Sequence, residues 1–349
     1  MNPNANYTPA QSAHAKQALS LVAALQNRFV QGLESMADDL DLSQSFKAVS
    51  WLRDEGKHGG GTRYETADGA MIGRGSVNVS QVHYDDNPDK KLGSATAIST
   101  IIHPNNPLSP SVHIHISWTE MKSGEGYWRL MADLNPSNNN IEDKQQYLDA
   151  LQQAAPAQFK SAVQQGDTYF YIPVLKRHRG IAHFYLEAYN TGSFEADLAF
   201  AQKTGEAAID TYVTILKESL AQNIPASESE KAKQLAYHSL YFFQVLTLDR
   251  GTTTGLLVHN QNDVGIMGSL PTYVDRDLLQ SWVNQMPEPQ DKLLQALVDV
   301  LPQTSPALVD EKVKQKLAQV VRNHYQQHPQ AIAMQASGNI IPPTVKNHN

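Results

Sequence analysis

The chain has 349 residues, 41% of them hydrophobic, with a formal net charge of -7 and no cysteine. This is ample material for one or two cored domains, and the acidic balance excludes a general basic field for nucleic acid. The lack of cysteine excludes disulfides, thiolate metal centres, thiolate-held iron-sulfur clusters and a cysteine nucleophile, and it fits a reducing compartment.

The N-terminus, Met1-Asn2-Pro3-Asn4-Ala5-Asn6-Tyr7, has no basic segment followed by an apolar one. No run approaches the roughly 18 apolar residues of a membrane span, so a soluble, cytoplasmic protein is expected. Residues 1–10 read as a tail. From 11 to 36 the apolar positions Ala18, Leu21, Val22, Leu25, Phe29 and Leu33 recur at three- and four-residue spacing, which predicts a long amphipathic helix covering one face of a sheet. A β-rich block follows from 46 to 134, with turn signals at Gly59-Gly60-Gly61, Asp68-Gly69 and Gly124-Glu125-Gly126, as in an antiparallel meander.

Within that block, two strands over 95–102 and 112–118 flank a loop containing Pro104, Pro107 and Pro110. Side chains alternate along a strand, so His113, His115 and Ser117 share one face while Val112, Ile114 and Ile116 point into the core. Residues 142–165 and 194–221 read as helices, the first broken or kinked at Pro156; 168–172 and 238–248 have strand composition. Further helices are expected at 277–285, 291–301 and 310–327, and a C-terminal tail at 329–349. With no internal repeat and no linker, residues 11–328 read as a single domain.

The three histidines His103, His113 and His115 suit either a metal site or a substrate-facing acid and hydrogen-bond donor. Gly59-Gly60-Gly61-Thr62-Arg63 reads either as a hairpin or as a loop bringing amides and a guanidinium to an anion. Lys176-Arg177-His178-Arg179-Gly180 is a dense cationic cluster, solvated or facing a carboxylate-bearing ligand. Glu187 suits a base or an ion-pair partner of Arg179. Asp249-Arg250-Gly251-Thr252 closes the apolar 238–248 run as a turn would, and an arginine fixed there would suit acidic groups. Gly-x-Ser-x-Gly and His-Glu-x-x-His are both absent, which argues against the commonest serine-hydrolase and zinc-protease arrangements.

Taken in order, these pieces resemble the oxygen-dependent coproporphyrinogen III oxidases. The match runs from Trp51-x-Arg53 and the glycines before Arg63 through Val77-Asn78-Val79-Ser80-Gln81-Val82, Ser99, His103-Pro104-x-Asn106-Pro107, Pro110 and His113. It continues with Trp128, Asp133-Leu134-x-Pro136, Tyr169-Phe170, Arg179-Gly180-Ile181, Asp249-Arg250-Gly251-Thr252 and Gly255-Leu256, ending near Pro271. The resemblance implies an α+β fold: a single domain with a large antiparallel β-sheet flanked by helices on both faces. It further implies a homodimer and a tetrapyrrole substrate whose propionates are oxidatively decarboxylated to vinyls. Molecular oxygen would be the co-substrate, with no organic cofactor and with a divalent metal as an open question. By matching position, His113 would be catalytic, His103 its neighbour and Ser99 a substrate contact.

Several family positions are replaced. An expected Asn-x-Arg after His113 is His115-Ile116-Ser117, so one guanidinium is missing. Pro173-Val174-Leu175 replaces Lys-His-Arg and Leu148 stands for a histidine, which removes two of four metal-type histidines. Tyr185-Leu186-Glu187-Ala188 replaces Phe-Phe-Asp-Asp, and Asn260-Gln261-Asn262 replaces Gly-Gly-Arg. Three readings follow. The first is an oxidase with His113, Arg179 and Glu187 catalytic and Ser99, Arg63, His115, Ser117, Arg250, Asn260, Gln261 and Asn262 lining the substrate. The second is a family member that binds a tetrapyrrole or other acid without oxidising it. The third is a metal enzyme built on His103, His113 and His115.

Overall fold

The computed structural model describes residues 7–67, 69–259 and 261–338. Helix α1 (Ala13–Asp39) starts at Ser12, whose hydroxyl accepts the Ala15 amide and satisfies one of the free donors of the first turn. Six strands follow as a meander: β1 (Lys47–Leu52), β2 (Gly59–Ala67), β3 (Ile72–His83), β4 (Leu92–Pro104), β5 (Ser111–Met121) and β6 (Gly126–Asn135). Then come α2 (Ile141–Ala154), α3 (Phe159–Phe170), the short pair β7 (Tyr171–Ile172) and β8 (Arg177–His178), and β9 (Ala182–Tyr189). The rest is mostly helical: α4 (Phe194–Ala221), α5 (Glu228–Thr247), α6 (Arg250–Val258), α7 (Asp263–Ile266), β10 (Tyr273–Val274), α8 (Arg276–Val283), α9 (Gln290–Val300), β11 (Ala307–Leu308) and α10 (Glu311–Gln327).

The large sheet has seven strands in the order β1-β2-β3-β4-β5-β6-β9, every neighbouring pair antiparallel. Strand alternation gives it two different faces. Val112, Ile114, Ile116 and Trp118 of β5, with Trp128, Leu130 and Leu134 of β6, join the apolar stripe of α1 and residues of α4 in one core. A second core lies on the opposite side of the sheet, where Ile101 of β4 joins α5, α6, α8, α9 and α10. The fold is therefore the expected α+β arrangement, with helices on both faces of a large antiparallel sheet. None of the described helices is long and apolar enough to cross a membrane.

Several local expectations change. Residues 238–248 belong to α5 and its C-terminal cap, not a strand. The helix opens with a capping box between Ser227 and Glu230, and every residue from Ser239 to Thr247 is buried, so no polar face marks a helical period. The strand read at 168–172 shrinks to Tyr171 and Ile172, because α3 continues to Phe170. Pro156 does break the helix expected over 142–165, separating α2 from α3. The glycine run 59–61 is not a loop; it lies inside β2, with Gly61 opposite Trp51 of β1 and Ser80 of β3. The segment from 329, read as a tail, is packed over its described part: Ala331 is fully buried and Gln335 bonds the Tyr325 hydroxyl.

Phe29 of α1 is fully buried and meets Tyr212 of α4 edge-on, with ring centroids 5.9 Å apart. Phe29→Ala is expected to remove about 3–5 kcal/mol of stability, counting lost transfer energy and the cavity left behind. A urea unfolding curve monitored by circular dichroism measures this; a loss below about 1 kcal/mol would contradict the packing described.

Candidate active site

On the sheet face away from α1, odd-numbered residues of β4, β5, β6 and β9 and even-numbered residues of β3 line a cleft of about 280 Å³. Its cover is the end of α5 together with α6, α7 and the turn up to Ser269. Ser99, His113, His115, Ser117, Glu187, Arg179 and Asn262, all singled out in the sequence, line it.

The centre is Asp133, fully buried on β6 directly opposite His113 of β5. One carboxylate oxygen accepts from His113 Nδ1 at 2.8 Å; the other accepts from Arg179 Nη2 and Asn135 Nδ2, each at 2.6 Å. Burial pushes this carboxyl upward, but Arg179, His113 and these hydrogen bonds outweigh it and hold it down at about 2. Because the carboxylate accepts from Nδ1, it fixes the orientation of the ring and leaves Nε2 as the nitrogen for the cleft that His113 lines. Arg179 reaches Asp133 because Gly180, at φ +80°, turns the chain against β6, where a Cβ would stand 2.4 Å from Asn135 Oδ1. Its guanidinium also donates to Gln244 Oε1 of α5 at 2.6 Å and lies between the rings of Phe170 and Tyr241, 4.5 and 4.9 Å from their centroids. Arg179 is therefore committed to Asp133 and Gln244 and holds the dyad in place.

A second charged group surrounds Arg129 of β6, whose Cα pairs with that of Ser117. Arg129 donates from Nε to the Tyr185 hydroxyl at 3.1 Å and from Nη2 to the Tyr169 hydroxyl at 3.2 Å. Glu187 Oε2 lies 3.6 Å from Nε, and Tyr169 passes its own proton donor to Asp249 Oδ1 at 2.8 Å. Burial raises the Glu187 carboxyl despite Arg129 and Arg250 nearby, so its charged form is costly. Burial likewise lowers His115 well below the ordinary imidazole value, helped by Arg129 and His113. His115 is a neutral hydrogen-bonding group, 3.1 Å from Ser117 Oγ.

Other expected residues lie elsewhere. Arg63 is buried against Glu65, with Nε and Nη2 at 2.8 and 2.7 Å from Oε2, and does not line the cleft. Gln261 sits at the exposed edge, exchanging hydrogen bonds with Asp54. Arg250 opens α6, buried outside the cleft, with Nε and Nη2 lacking hydrogen-bond partners among the described residues. Asn260 lies outside the described residues. His103 does not join His113: its ring bonds Ser111 Oγ and the Ser269 carbonyl and packs edge-on against Tyr241 and His238 of α5. Both its nitrogens are taken, so the His103, His113 and His115 metal arrangement is not formed. Among the described residues no group of three or more His, Asp or Glu is placed to hold a metal ion.

Arg129, Asp133 and Asp249 had no role assigned from sequence. Asp133 stood inside the quoted Asp133-Leu134-x-Pro136 motif, and alternation from Asp133 through Met131 reaches Arg129 on the same face. The guanidinium missing at Ser117 thus has a counterpart on the neighbouring strand.

Comparison with known proteins gives one consistent answer. The sequence model of the family described as Coproporphyrinogen III oxidase matches residues 17–300. The protein named oxygen-dependent coproporphyrinogen-III oxidase in Rickettsia africae (strain ESF-5) is 28% identical over 243 residues, covering 66% of this chain and 84% of the relative. Its namesake in Rickettsia conorii (strain ATCC VR-613 / Malish 7) matches with the same identity and coverage.

Asp133→Asn should leave Arg179 buried without its counter-charge and cost about 3–5 kcal/mol at pH 7. The folded carboxyl lies at about 2 against an ordinary 3.8, so its stabilisation is full above the ordinary value and lost as pH falls through the folded one. Urea titrations between those limits should show a shallower acid slope in the variant. An unchanged slope would contradict the Asp133 assignment.

Proposed function

The chain belongs to the coproporphyrinogen III oxidase family, and on that premise we propose that it converts two propionates of coproporphyrinogen III to vinyls with molecular oxygen and no organic cofactor. Each conversion releases the carboxylate as carbon dioxide and removes a hydride equivalent from the carbon attached to the ring, passing two electrons to oxygen. The observation that carries this reading is the His113–Asp133–Arg179 chain at the wall of a cleft floored by small polar side chains.

In this reading His113, held through Nδ1 by Asp133, presents Nε2 to manage a proton at the reacting pyrrole. Glu187, raised by burial, is suited to take and return a pyrrole N–H proton. Arg179 acts through Asp133 as a positioning residue. Ser99, Ser117, His115 and Asn262 supply neutral hydrogen-bonding partners along the ring. Arg250, behind Glu187, contributes its charge from outside the cleft. The functional molecule would be a homodimer, read out as twice the 38.6 kDa chain mass by light scattering.

One observation favours a second reading, binding of an acidic ligand without oxidation. At about 280 Å³ the cleft lies just under the roughly 300–1,000 Å³ usual for small-molecule sites, which suits an acidic ligand smaller than a tetrapyrrole.

The deciding assay presents anaerobically prepared coproporphyrinogen III and then admits oxygen, with vinyl products separated by chromatography. Wild-type protein is expected to form them, and His113→Ala to lower turnover about 10²–10⁴-fold with its fold retained. No product from folded wild-type protein removes the oxidase reading; saturable fluorescence quenching without product supports the second.

A further inference from the structure

Arg129 differs from Arg179, which also lines this cleft, and from Arg63, buried outside it. Arg179 is matched by a carboxylate oxygen at 2.6 Å, and Arg63 by one at 2.7 Å. Arg129 is instead held by two phenol oxygens, and its nearest carboxylate, Glu187, stands at 3.6 Å, beyond hydrogen-bond reach. Its side chain is largely enclosed, 13% exposed, and lines the cleft. Among the described residues Nη1 has no hydrogen-bond partner. Beside it stands Gly251, where a Cβ would come within 3.3 Å of that nitrogen, so the glycine leaves this edge of the guanidinium uncovered toward the cleft. The rings of Tyr185 and Tyr169, at 5.3 and 5.7 Å, hold the guanidinium as neutral supports.

We propose that Arg129 is the carboxylate anchor of this cleft, presenting its Nη1 edge to a carboxylate of the ligand while Tyr169 and Tyr185 fix its other edge. The inference rests on the reading of the cleft as a site for a carboxylate-bearing tetrapyrrole and names the residue that recognises the acid. A charge-assisted hydrogen bond discriminates strongly between an acid and its ester, because an ester cannot offer the compensating charge. Neither neighbouring carboxylate takes the Nη1 edge: Glu187 stands 3.6 Å from Nε, and Asp249, whose carboxyl Arg129 helps hold down, accepts from the Tyr169 hydroxyl and the Thr252 amide at 2.8 and 2.7 Å.

The test compares binding of coproporphyrin III and its tetramethyl ester, by fluorescence quenching, to wild type, Arg129→Gln and Arg129→Lys. Wild type should prefer the acid. Arg129→Gln should weaken acid binding about 10- to 100-fold while changing ester binding less than about twofold, and Arg129→Lys should recover part of the preference. A purely structural role would weaken acid and ester alike, or leave Lys as poor as Gln, and either result overturns the anchor. If wild type binds the acid and Arg129→Gln binds it equally well, the anchor alone fails. If wild type binds neither compound, the tetrapyrrole reading fails and the anchor with it.

Discussion

A single buried carboxylate organises this protein's site. Asp133 bonds His113 on the adjacent strand, Arg179 from the turn before β9 and Asn135 on its own strand; Arg179 then reaches Gln244 of α5. A carboxylate and a guanidinium removed from water are tolerable only as partners, because either left alone bears its full desolvation cost. The pairing therefore fixes the imidazole, the turn at Gly180 and the position of α5 over the sheet together.

The same strands serve packing and chemistry through alternation. Their inward residues share a core with α1 and α4, and their other residues form the polar wall of the cleft. The cover belongs to a different core, built by the C-terminal helices. It is braced by α10, where Arg322 donates to the Leu256 carbonyl at 3.0 Å and to Asp263 at 2.6 Å, tying α6 to α7. Packing beyond residue 300, past the end of the family match, thus helps hold the roof of the site.

Much of the wall was legible in the chain. The alternation of His113, His115 and Ser117 against Val112, Ile114 and Ile116 is what the sheet displays. The same arithmetic puts His103 on that face too, yet two residues further along the strand the neighbour is α5 instead of the cleft. Arg63 and Gln261 fail for a similar reason: Glu65 and Asp54 engage them first. The C-terminal half of α5 was hidden because a helical segment buried on all sides has no polar face to reveal its period.

By itself the sequence determined the alternating face of β5, the break at Pro156, the long amphipathic α1 and the ordered motifs that mark the family, because each depends on neighbours within a few residues. Only the tertiary structure decided which charges belong together. Asp133 meets Arg179 across 46 positions, and Arg129 meets Tyr185 across 56. Those pairings depend on strand register, helix packing and exclusion of water, so no local pattern announces them. The three histidines of one segment are separated accordingly: His113 is held by a carboxylate, His115 is a neutral hydrogen-bonding group and His103 is part of the packing beneath α5.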